Sequence, residues 1–114
     1  MPDLRALTQN YVAAFDARDL DAVAGFFADD FALTDPEVTA LTPKPAVLDY
    51  VGGLFTGNPD LAFTAHSIVV DGDISVIHFT LTLGETVLDG VDLITWVGDR
   101  MATMHAYLTP RSPS

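Results

Sequence analysis

Apolar residues recur at helical spacing at the start of the chain: Leu4, Leu7, Tyr11, Ala14 and Phe15 predict an amphipathic first helix. The polar run Asp16-Ala-Arg-Asp19 breaks it. Asp19 can cap a second helix, with a buried stripe of Ala22, Val23, Phe26 and Phe27 and Asp29-Asp30 at its close. A short strand, Phe31 to Thr34, leads into Asp35-Pro36. The residue before a proline is pushed toward extended geometry, so Asp35 belongs at a strand end or turn. Residues 37–43 read as a loop. Thr42-Pro43 then serves as cap and first turn of a third helix burying Val47, Leu48, Val51, Leu54 and Phe55, which Thr56-Gly-Asn-Pro-Asp60 stops.

Beyond this point the pattern is that of strands, over about 61–70, 74–83, 86–97 and 100–108. Asp71-Gly72-Asp73, Gly84-Glu85 and Gly98-Asp99 supply the turns. The tail, Thr109 to Ser114, reads as frayed. Helices grouped ahead of a meander of strands give an α+β fold, with the helices packed across one face of a curved antiparallel sheet. Such a sheet leaves a deep apolar cleft between the layers, a natural ligand site.

Within the meander, Val91 to Val97 is the strand with chemistry in it. Side chains alternate along a strand, so Asp92, Ile94 and Trp96 share one face and Val91, Leu93, Thr95 and Val97 the other. Both faces are largely apolar, which marks an interior strand with a carboxyl among hydrophobic neighbours. Burying that group charged is costly, so it keeps its proton and its pKa rises. A neutral carboxylic acid in an apolar cleft is a hydrogen-bond donor for an anion. The competing reading is an Asp solvated at the strand's edge.

Composition narrows the class. A chain of 114 residues, 49% hydrophobic and 18% charged, reads as one globular domain spanning 1–114. No apolar run is long enough to cross a bilayer, and Met1-Pro-Asp-Leu-Arg5 lacks the basic and apolar regions of a signal peptide. The absence of Cys excludes a disulfide framework, a thiol nucleophile and a Cys-based metal site. A cytoplasmic location is expected. The formal charge of −11 argues against nucleic acid or an anionic membrane as partner, since both need a basic surface.

The run YVAAFDARDLDAVAGFFADD from Tyr11 to Asp30, followed by Asp35-Pro36, closely resembles the bacterial Δ5-3-ketosteroid isomerases. So does Val91-Asp92 followed by a turn and Met104-His-Ala-Tyr107. These enzymes belong to the superfamily of nuclear-transport-factor-2-like and SnoaL-like proteins. The resemblance implies a cone-shaped, cystatin-like α+β barrel over nearly the whole chain. It also implies a homodimer formed through the exposed face of the meander. In that family a Tyr on the first helix and a protonated Asp on a late strand form an oxyanion hole, and an Asp before Pro is the proton-transferring base. The matching positions are Tyr11, Asp92 and Asp35. Implied with them are a steroid Δ-isomerase acting through a dienolate, a small apolar ketone as substrate, and no metal or organic cofactor.

Each position also has a plainer reading. Tyr11 can be a core residue with a satisfied hydroxyl, and Asp35 can simply cap its turn. The chain departs from the steroid isomerases in a shorter hairpin at Gly84-Glu85, in His105 where they carry Arg, and in the loop from Glu37 to Pro43. Two other functions share the same scaffold: a SnoaL-like polyketide cyclase or related acid/base enzyme, and a non-catalytic module that binds an apolar ligand. His66, His78 and His105 match no metal-ligand spacing, and Ser67, Ser75, Ser112 and Ser114 lack the context of a nucleophile. Phe26, Phe27, Phe55, Phe63 and Phe79 are expected in the core or along the cleft.

Overall fold

A computed structural model describes residues 2–111. The elements follow in the order α1 (Leu4–Asp16), α2 (Leu20–Ala24), β1 (Phe27–Thr34), α3 (Lys44–Gly57), β2 (Ala62–Asp71), β3 (Ile74–Leu83), β4 (Thr86–Val97) and β5 (Arg100–Pro110). The strands form one curved sheet in the order β1-β5-β4-β3-β2. The fold is α+β, as the element order implies. The expectation of a purely antiparallel sheet needs correcting: β2 to β5 are an antiparallel meander, but β1 joins β5 in parallel. A parallel neighbour needs a long crossover, and α3 with the meander supplies it.

The second helix is shorter than its apolar stripe suggests. Asp19 caps it through a 3.1 Å bond from the Ala22 amide, but it ends at Ala24, and Ala22 is exposed. Gly25 and two consecutive phenylalanines favour strand over helix here. The Met101 amide bonds to the Phe26 carbonyl at 2.7 Å and draws the chain onto β5. Asp29-Asp30 therefore does not close a helix. It sits in β1, where the register shifts between Phe27 and Ala32, and both carboxylates face water. The shift also brings Phe27 and Phe31 face to face, with ring centroids 4.1 Å apart.

Thr42 does not cap the third helix either. Its hydroxyl bonds to the Asp30 carbonyl, and Pro43 precedes the helix with no side-chain cap. The four strands of the meander match expectation closely. Each hairpin turns on a glycine with φ near +60°, Gly72, Gly84 and Gly98, the first residue of a two-residue loop. The tail is ordered further than expected. Thr109 and Pro110 extend β5, and Arg111 pairs with Asp89 at 2.7 Å, while residues 112–114 lie outside the described residues.

α1 lies over β2 and β3, and α3 lies over β1. The α1 stripe buries Leu4, Thr8, Tyr11 and Phe15, with Leu7 and Ala14 half-buried beside it. Thr8 is the unexpected member. Its hydroxyl bonds to the Leu4 carbonyl at 2.6 Å and shares a 3.0 Å hydrogen bond with Ser75, which accepts the Trp96 indole N–H at 2.9 Å. This chain of bonds ties α1 to β3 and β4 and satisfies every polar atom in it.

Candidate active site

The space between the helices and the sheet is a cavity of about 80 Å³. One water needs about 10–15 Å³ on this measure, so the space is ligand-scale rather than a packing defect. Its floor is formed by buried Tyr11, Phe15, Phe79 and Asp92, and its mouth by half-buried Asp35, Tyr50, Leu54 and Leu108.

The fold brings all three sequence candidates to this cavity. Tyr11 arrives because it lies on the inward stripe of α1, one turn beyond Thr8. Its ring is packed by Phe15, Phe26 and Phe27 at centroid distances of 5.9, 5.8 and 6.5 Å, and only 3% of the residue is exposed. Asp92 arrives because strand alternation puts it inward with Ile94 and Trp96; it is 5% exposed. Neither the Tyr11 hydroxyl nor the Asp92 carboxyl bonds to another described residue, and no buried polar atom is left sealed without a partner. Both polar groups therefore open onto the cavity.

Burial moves both titrations upward. Desolvation, with Asp35 repulsion second, pushes the Asp92 carboxyl from 3.8 up to about 7. The Tyr11 hydroxyl is raised well above its usual range, by burial first and by Asp92 second. Below about pH 7 a neutral acid and a neutral phenol thus line one apolar chamber.

Asp35 is built differently. Its Oδ1 accepts the amides of Glu37 at 2.8 Å and Val38 at 3.0 Å, so it does cap the turn after β1. Its Oδ2 accepts the Tyr50 hydroxyl at 2.8 Å. The two readings of this residue, turn cap and cavity carboxylate, are both satisfied at once by its two oxygens. Burial and the bond to Asp35 push the Tyr50 hydroxyl far above its usual pKa.

Tyr50 is the site residue the sequence reading missed. The signal was present: Tyr50 follows Val47 by three positions and precedes Leu54 by four, placing it on the stripe already assigned to the core. Of the expected phenylalanines, Phe27, Phe63 and Phe79 line the cavity, Phe55 backs Phe15 at 4.9 Å, and Phe26 packs on Tyr11. His105 lies on the opposite face of the sheet, stacked on Tyr107 at 4.1 Å, so the residue that departs from the isomerase pattern is outside the cavity. His66 and His78 share that outer face, and among the described residues no three His, Cys, Asp or Glu side chains converge to hold a metal ion.

The sequence pattern of the SnoaL-like domain matches residues 8–104. This chain belongs to the SnoaL-like domain family. A search of curated proteins found no match. Solved structures of similar shape include a SnoaL-like protein of unknown function from Burkholderia thailandensis E264, with TM-score 0.82, 20% identity, and coverage of 96% of this chain and 98% of that one. A candidate ketosteroid isomerase from Kribbella flavida DSM 17836 has TM-score 0.82 and 21% identity, over 96% and 80% of the two chains. AclR, a candidate hydroxylase from Streptomyces galilaeus, has TM-score 0.78 and 17% identity, over 94% and 79%. At these identities the likeness is one of fold. The cavity of this SnoaL-like domain must be read from its own side chains.

Proposed function

We propose that this SnoaL-like domain is a cofactor-independent isomerase that moves a β,γ double bond into conjugation with a ketone, acting on a steroid 3-ketone or a similar apolar, enolisable ketone. The observation that carries this reading is the pair Tyr11 and Asp92, a buried hydroxyl and a buried carboxyl without partners, which face the same apolar cavity as the Asp35 carboxylate. Asp35 takes the proton from the carbon between the ketone and the double bond. The electrons shift onto the ketone oxygen as a dienolate, and Asp35 returns the proton two carbons along. Tyr11 and neutral Asp92 donate to the oxygen as its charge grows. Donors of this kind are worth roughly 3–4 kcal/mol each in a dry site, and a positioned base contributes about 10²–10⁴-fold. Tyr50 holds the Asp35 carboxylate at the mouth, so it is a positioning residue.

The same reading includes two copies associating through the outer face of the sheet. Four rings need more room than the cavity offers at rest, so a steroid must part the half-buried rim at Tyr50, Leu54 and Leu108.

The test is ultraviolet absorbance of a β,γ-unsaturated 3-ketosteroid with purified protein, following the conjugated enone. Turnover is expected to fall about 10²–10⁴-fold in Asp35→Asn and about 10²-fold in Tyr11→Phe and Asp92→Leu. Tyr50→Phe is expected to lower kcat about tenfold with KM nearly unchanged, the split that misplacing a base produces. No turnover above buffer overturns steroid isomerisation. Cyclisation of a planar polyketide without reaction on the steroid replaces it with the cyclase reading.

A further inference from the structure

Seven of the seventeen residues lining the cavity are aromatic, two are aspartates, and none is Lys, Arg or His. The titratable groups facing Asp92 are Tyr11 from α1, Asp35 after β1 and Tyr50 from α3; β2, β3 and β5 contribute only apolar side chains. Such a chamber has no cation of its own to pair with Asp92. It instead offers carboxyl groups in a low-dielectric space bordered by aromatic rings, whose faces carry partial negative charge.

We propose that the same cavity binds apolar organic cations, tertiary or quaternary ammonium groups of small size, with Asp92 as the buried counter-ion. The geometry supports this on two counts. The Asp92 carboxyl is unpartnered and almost wholly buried, so an incoming cation supplies the partner that the protein withholds. Rings on α1, β1, β2 and β3 border the same space, where a desolvated ammonium is attracted to their faces. With Asp92 ionised beside Asp35, anions are repelled. The inference does not depend on isomerisation, because it concerns binding alone. Nevertheless the two ligand classes use opposite forms of Asp92. The neutral acid donates to a ketone oxygen, and the ionised form pairs with a cation after releasing its proton to solvent.

Because the carboxyl titrates near 7, the two forms exchange within an accessible range. The experiment uses the full chain with 13C-methyl methionine. Met104 lines the cavity, and Met101 is buried without lining it, so one methyl reports binding and the other serves as control. Benzyltrimethylammonium, whose charge never titrates, is compared with its uncharged carbon isostere neopentylbenzene at pH 6 and pH 8. The cation's Kd is expected to fall about tenfold between these values, as the ionised fraction of Asp92 rises from about one-tenth to about nine-tenths. The hydrocarbon's Kd stays level. Asp92→Asn is expected to bind the hydrocarbon as before, which shows that its cavity is intact, while weakening the cation about tenfold or more and removing its pH dependence. A hydrocarbon that binds as tightly as the cation at pH 8, a cation Kd that is flat with pH, or a Met104 methyl that never moves overturns the proposal. Enone turnover is a separate measurement, so failure of either reading is seen independently of the other.

Discussion

Burial holds the Asp92 carboxyl near 7, against an ordinary 3.8, so between those values the folded protein binds a proton that the unfolded chain releases. Stability therefore declines as pH rises through that window, and the full cost is present above it. Three pKa units correspond to an order of magnitude of about 4 kcal/mol. Asp92→Asn keeps the shape and removes the charge. Urea unfolding is expected to show the variant close to the parent near pH 4 and more stable by a few kcal/mol at pH 8. A difference that stays constant from pH 5 to pH 8 would show that the carboxyl is not desolvated. At this scale strand alternation put Asp92 on one face with Ile94 and Trp96, and burial of both neighbours decides against the solvated-edge reading. Thr8 and Tyr50 were not assigned. A polar side chain on an apolar stripe is informative only once its partner is known, and Ser75 and Asp35 lie far away in sequence.

Among the elements, β4 depends on one glycine. A Cβ on Gly90 would collide with the Tyr107 carbonyl and approach Leu108 Cδ2 and Phe79 Cζ at 2.9 Å each. The carbonyl belongs to the paired strand β5 and cannot move without disturbing the ladder, so Gly90→Ala is expected to cost about 1–3 kcal/mol or more. Gly53, in α3, has nothing within 4 Å of its Cβ position, and Gly53→Ala is expected to stabilise by about 0.5–1 kcal/mol. Thermal unfolding of the two variants reads both signs; equal effects would refute the packing argument. The strands and hairpins were legible because their turns are short and local. The boundary between α2 and β1 was not, since Val23, Phe26 and Phe27 suit a helix stripe as well as a strand start, and β5, more than seventy residues on, decides between them.

At the scale of the whole molecule, all five basic residues have local work. Arg5, Arg18 and Lys44 donate to the carbonyls of Ile68, Leu61 and Phe27, while Arg100 and Arg111 pair with Asp99 and Asp89. With the Asp16 carboxylate accepting the Phe63 amide at 2.8 Å, several of these bonds blunt the free edge at β2. The outer face of the sheet is left uncovered. Val69, Val76, Leu93 and His105 form one cross-strand row, with Ser67, His78, Val91 and Tyr107 in the next, and neither row contains an acid. Val69 is 58% exposed and Tyr107 54%. An apolar face on a chain of charge −11 is where the proposed self-association would occur. Light scattering is expected to report a dimer that tightens with added salt, as repulsion between acidic copies is screened, and a monomer for Leu93→Asp. A monomer for the unaltered protein in high salt would rule this out. No helix among the described residues is long and apolar enough to cross a membrane.

Periodicity, turn glycines and the lone inward aspartate determined the α+β order, the four-stranded meander and the identity of Tyr11, Asp35 and Asp92 as residues to watch. These are local properties, set by 3.6- and 2-residue repeats and by which residues tolerate a tight turn. Only the tertiary structure decided that β1 runs parallel to β5, that Tyr50 holds Asp35, and that Tyr11 and Asp92 face one cavity without partners. Those outcomes depend on contacts between segments far apart in the chain, where the pairing is chosen by the summed burial of the whole core and not by any single stretch.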